Sequence, residues 1–191
     1  MSKSSDPVLD RLGEIEAEDD ESDDTIDLME EVAQRPGGLQ LLLERFGHSE
    51  HAMVVRSLSF LLARAANQTT VESSARIYDL IAKLRCTDDV STLINCMTTI
   101  QRQAICDIPW PGGRAPASLF PFLMHCLTQG ALVAPGAIDV LMRLYEDGRF
   151  PAAFSDEQQR ELRAKLVALS SVEDEALKLD LRSLAPFVNG G

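Results

Sequence analysis

From Thr25 onward the apolar residues recur at helical spacing with few interruptions. Ile26, Met29 and Val32 or Ala33 mark a short helix that must end before Pro36-Gly37-Gly38. Leu39, Leu42, Leu43 and Phe46 mark a second, with Gly47 placed to stop it. Ser49 is expected to cap a third, whose face is Val54, Val55, Leu58, Leu61, Leu62 and Ala65, ending at Asn67 and Gln68. Val71, Ala75, Tyr78, Ile81 and Ala82 predict a fourth. Thr87 or Asp88 is expected to cap a fifth, carrying Val90, Leu93, Ile94, Met97, Ile100 and Ala104. The segment Ile108-Pro109-Trp110-Pro111-Gly112-Gly113-Arg114-Ala115-Pro116 cannot continue a helix, because its prolines lack the backbone donor and fix φ. Further helices are predicted near 117–128, 136–147, 156–170 and 172–188, with Ser155 and Gln158 at capping-box spacing. No stretch alternates with period two for long enough to be a strand, so the fold class is all-α.

The first 24 residues differ in kind. They hold ten acids against Lys3 and Arg11, whereas residues 25–191 hold twenty acids and sixteen bases, so most of the formal net charge of −12 is concentrated there. Such a block repels itself and has little to bury, which predicts a disordered acidic tail over 1–24 and a helical domain over 25–188. Within the tail, Val8, Leu9, Leu12 and Ile15 could share one face of a transient helix that folds on binding. Over the whole chain, 45% apolar and 25% charged residues are the proportions of a soluble globular domain. No apolar run suits a membrane span, and the polar start is not a secretory or transit peptide, so a cytoplasmic location without membrane contact is expected. No Lys/Arg cluster suggests nucleic acid as a partner.

The helices pair off and the pairs recur. Leu58-Ser59-Phe60-Leu61-Leu62, Met97-Thr98-Thr99-Ile100, Leu141-Met142-Arg143-Leu144-Tyr145 and Leu181-Arg182-Ser183-Leu184-Ala185 begin 39, 44 and 40 residues apart. The apolar centres of the preceding helices, Leu42, Ile81, Leu123 and Leu166, stand 39, 42 and 43 apart. A period near forty is that of helical repeats. Gly37-Gly38-Leu39-Gln40-Leu41-Leu42-Leu43, a polar turn, and then Val55-Arg56-Ser57-Leu58-Ser59-Phe60-Leu61-Leu62 resembles an armadillo repeat. Thr70 to Ile100 is similar but lacks the glycine, and 117–188 keeps the spacing alone. The resemblance implies a short right-handed α-solenoid of about four helix pairs, the alternative being an irregular helical bundle. It also implies a concave surface, lined by the last helix of each repeat, that binds a peptide or helix of another protein.

Armadillo proteins often carry a backbone-clamping asparagine on that helix. The matching positions here are Phe60, Thr99, Arg143 and Ser183, so this clamp is missing. Arg56 and Arg64 flank Phe60 one turn either side, an aromatic between arginines that has the composition of an interface anchor. Phe60 can instead pack inward. Trp110, the single tryptophan, is either presented by its proline-rich loop or folded back over a seam. The expected partner-binding residues are therefore Arg56, Phe60, Arg64, Thr99, Trp110 and Arg143. Cys86, Cys96, Cys106 and Cys126 form no CxxC pair and read as free, largely buried thiols. With His48, His51 and His125 they are too scattered for a zinc site. No nucleotide loop or nucleophile motif is present, so neither an enzyme nor a cofactor is expected. The runner-up is an acidic inhibitor or immunity-type protein that blocks a basic partner. The placement of charge in an unstructured tail argues against it, because an inhibitor would carry acids on its folded surface.

Overall fold

The computed structural model describes residues 6–18, 24–65, 78, 81, 89–105, 110, 114–170, 185 and 188. Every regular element among them is a helix and none is a strand. In chain order these are α1 (Pro7–Glu18), α2 (Asp24–Ala33), α3 (Gly38–Phe46), α4 (Ala52–Ala65), α5 (Val90–Ile105), α6 (Leu119–Cys126), α7 (Ala134–Glu146), α8 (Phe150–Ala153) and α9 (Asp156–Ser170). Tyr78 and Ile81 are helical and buried, as their spacing predicts. The rest of that fourth predicted helix, Cys86, Cys106, Ser183 and most of 172–188 lie outside the described residues.

The apolar stripes face inward as their periods require. Leu42, Ile81, Leu123 and Leu166 are all buried, as are Leu58, Met97 and Leu141. One continuous core runs from Leu9 to Leu166. The packing is between near neighbours: α2 lies on α4, α4 on α5, and α5 on α7, while α3 packs on both α2 and α4 and α6 on α7 and α9. Polar links sew the same seams. Arg64 of α4 pairs with Glu30 of α2. The Asn95 amide of α5 donates to Ser59 Oγ of α4 at 3.4 Å, and the Gln101 amide of α5 donates to Asp139 of α7 at 3.0 Å.

Several local expectations need correction. Residues 7–18, read as part of a disordered tail, form a helix whose Leu9, Leu12 and Ile15 are buried and which packs on α2. Burying an aliphatic side chain is worth about 1.5–3 kcal/mol. Three of them on one stripe outweigh the mutual repulsion of the acids, of which Asp10, Glu14 and Glu18 are exposed to water. Asp6 starts this helix by accepting the Val8 N–H at 3.1 Å.

The α2–α3 turn depends on its two glycines. Gly37 has φ +71°, and a Cβ on Gly38 would stand 1.7 Å from the Val32 carbonyl oxygen. Gly47 ends α3 as expected but stays right-handed, at φ −64°. Its need for glycine is crowding, since a Cβ there would lie 2.3 Å from the Leu43 oxygen. Ser49 does not cap α4; its Oγ accepts the His51 N–H at 3.2 Å, and the helix begins after that turn. Asp89 caps α5, accepting the Thr92 N–H at 3.3 Å and the Thr92 hydroxyl. Ser155 and Gln158 make the reciprocal capping box at the start of α9, with bonds of 2.9 and 3.3 Å. The four-residue α8 had no counterpart in the sequence reading. Its proline lies in its first turn, and Phe150 and Phe154 stack edge to face at 4.9 Å on either side of it.

Candidate functional site

The six expected contact residues fall into four situations. On α4, Arg56 and Arg64 are exposed and Phe60 is half-buried, packed against the core. The Arg64 guanidinium lies 5.6 Å from the Phe60 ring centroid while pairing with Glu30. The stripe exists as the spacing required. Its aromatic, however, is a partial core residue covered by its own arginine rather than a free anchor.

Thr99 is corrected outright. It is 1% exposed, and its hydroxyl donates to the Asn95 carbonyl at 3.0 Å. A threonine can satisfy its oxygen within its own helix and so be buried at no polar cost. On α5 it is Ser91 and Ile94 that are exposed, with Thr98 and Gln101 partly so.

Trp110 takes the folded-back placement. It is half-buried against the core, the Arg149 guanidinium stands 4.6 Å from its ring centroid, and its indole N–H donates to the Tyr78 hydroxyl. Burial is the main cause that pushes the Tyr78 phenol up to about 12, against the smaller opposing effects of Trp110 and Arg149. Tyr78, Ile100, Leu119, Val140, Leu144 and Arg149 close round the indole, leaving a space of about 10 Å³. That is room for one water at most. The tryptophan is therefore a clasp between distant segments.

Arg143 is exposed on α7, 3.9 Å from Glu146 and one turn beyond Asp139. The Gln101–Asp139 hydrogen bond links α5 to α7 one turn before Arg143. A groove of about 70 Å³ opens there, lined by Ile94, Met97, Thr98, Gln101, Leu132, Val133 and Gly136. Its apolar lip is Ile94, 41% exposed, and Leu132, 75% exposed. Gly136 lets the helices approach, since a Cβ on it would stand 2.7 Å from Met97 Cγ. Sequence reasoning missed this groove. The signal that could have found it is Leu132, an apolar residue in the turn between Gly130 and Pro135, beyond the apolar stripe of either neighbouring helix.

Chemically reactive groups are inward or dispersed. Cys96 and Cys126 are free and buried. Burial pushes the Cys96 thiol upward and the Cys126 thiol up to about 12. Among the described residues, no group of three or more His, Cys, Asp or Glu could hold a metal ion. No helix among them is long and apolar enough to cross a membrane. Comparison with family models, with curated proteins and with solved structures gives no match.

Proposed function

We propose that this chain is a non-catalytic protein-binding module, a short armadillo-like stack of helix pairs that holds a peptide or helix of another protein on the outward face of α4, α5 and α7. The observation that carries the reading is the groove beside Leu132, with Ile94 opposite. At about 70 Å³ it suits one aliphatic or aromatic side chain. Small-molecule pockets are several times larger, about 300–1,000 Å³. Leu132, three-quarters exposed, and Ile94 line that groove together, so one apolar side chain of a partner would cover both. The serial packing of α2 on α4, α4 on α5 and α5 on α7 supports the stacked arrangement. Arg56 and Arg64 on α4 and Arg143 on α7 add exposed cations and favour a partner segment with both an apolar anchor and carboxylates.

A second reading, the acidic inhibitor, gains from the correction to the N-terminus. Asp10, Glu14, Glu18, Asp24, Asp27 and Glu31 are exposed on folded helices rather than spread along a loose tail. The two readings separate in one experiment. Affinity capture with the wild-type chain is repeated with Leu132→Asp and at raised ionic strength. The groove reading expects the captured protein to vanish with Leu132→Asp at an unchanged melting temperature, and to tolerate salt. Capture that survives Leu132→Asp but disappears with salt contradicts it and supports the inhibitor.

A further inference from the structure

α1 is held to the rest of the molecule in a way that makes it replaceable. It is 12 residues long with Gly13 at its middle, and a helix of that length and composition is marginal in water by itself. What keeps it folded is the body beneath it: Leu9, Leu12 and Ile15 are buried on a single stripe, with Val8 partly so. Two arginines from other elements secure its start. Arg35, just past α2, pairs with Asp6, and Arg45 of α3 approaches Asp10 at 3.9 Å. Arg45 also crosses the helix at Gly13, where a Cβ would stand 3.3 Å from its Nη2. All four of these charged side chains remain 30–48% exposed, and partly exposed pairs contribute little to affinity but much to choice of partner. The result is an amphipathic acidic helix seated on an apolar face between two cations.

We propose that α1 is the resident occupant of a helix-binding face on α2, rimmed by Arg35 and Arg45, and that this face exchanges α1 for an acidic amphipathic helix of a partner protein. The partner's pattern is α1's own: apolar residues at i, i+3 and i+6, with carboxylates at i−3 and i+1. This surface is separate from the groove beside Leu132 and does not depend on the reading given to that groove. The exchange makes α1 an internal competitor, so the apparent affinity of an incoming helix is reduced by the fraction of chains in which α1 is seated.

The test uses the full chain and a fluorescent peptide of residues 6–18. The wild-type chain is expected to bind the peptide weakly. Asp6→Asn with Asp10→Asn in the chain, which loosens the resident helix, is expected to tighten binding about fivefold or more by raising the open fraction. A peptide with Leu9, Leu12 and Ile15 changed to alanine is expected not to bind. Arg45→Glu in the chain loosens the resident helix and the wild-type peptide alike, so wild-type peptide binding should change little, whereas a peptide carrying Asp10→Lys should bind this variant more tightly than the wild-type peptide does. Hydrogen exchange supplies an independent readout: saturating peptide should deprotect the chain's own 9–18 amides and leave those of α4 and α5 unchanged. The proposal is overturned if the loosened chain binds no peptide, if the alanine peptide binds as well as the native one, or if the 9–18 amides stay protected in the saturated complex.

Discussion

Phe60 shows how far residue type alone carries an argument. An aromatic flanked by arginines at i−4 and i+4 has the composition of an interface anchor, yet Phe60 is half-buried and Arg64 lies across its ring. Phe60→Ala is accordingly expected to lower stability by about 1–3 kcal/mol in a urea melt, less than the ~3–5 kcal/mol of a fully buried phenylalanine. A loss near zero would put the ring on the surface. The thiols make a second residue-scale test. With Cys96 and Cys126 buried and both pushed upward, the thiolate that reacts with alkylating agents is scarce at neutral pH. Native protein at pH 7.5 is therefore expected to leave both unlabelled over a time that labels them fully in urea, by peptide mass mapping; fast native labelling of either contradicts its placement.

At the scale of elements, the period of apolar residues located most helices, because a 3.6-residue repeat survives variation in individual side chains. What it lost were elements fixed by something other than a long stripe. α1 was legible only as a transient helix, because its three buried residues are diluted by acids and the charge density points to a disordered tail. α8 has only four residues, too few to show a period. Caps shifted by one or two residues, from Thr87 or Asp88 to Asp89 and from Ser49 to the turn at His51, since several neighbouring polar residues are chemically able to cap. The α2–α3 turn was legible from Gly37-Gly38 and is testable. Gly38→Ala is expected to cost about 2 kcal/mol or more, because backbone and not a flexible side chain occupies the space; a change under about 0.5 kcal/mol contradicts the turn. The docking of α1 should also depend on pH. Burial opposes ionisation of the Asp6 carboxyl, but its hydrogen bond from Arg35 and the backbone N–H groups of Val8 and Leu9 outweigh that and hold it below its ordinary value of 3.8. A carboxyl lowered in the folded state stabilises above its unfolded pKa, and that contribution is lost as pH falls through the folded one. Protection of the 9–18 amides should therefore fall in wild type as pH drops below about 3.8, and Asp6→Asn should start low and show less of this fall. Identical pH dependence in the two proteins would remove Asp6 from the hold.

Across the whole molecule, what sequence made legible was the class of fold and the inward side of each helix, and what it hid was which outward positions meet. Leu42, Ile81, Leu123 and Leu166 were marked by period alone and are all buried. The clasp of Tyr78, Trp110 and Arg149 and the meeting of Ile94 with Leu132 join residues 32 to 39 positions apart, and no local pattern encodes such a pairing. Thr99 failed for a related reason: family position assigned it to a binding face, while its own helix offered its hydroxyl a carbonyl. The central claim is that the lip formed by Ile94 and Leu132 is where a partner protein sits. The most direct measurement places a photo-crosslinking residue at 132 in the full chain within the source cells, with the same residue at Val167, another exposed apolar position, as control. The account predicts one discrete adduct from position 132 that is absent from position 167 and is abolished by Ile94→Asp. Position 132 giving no adduct, or the same adducts as position 167, contradicts it.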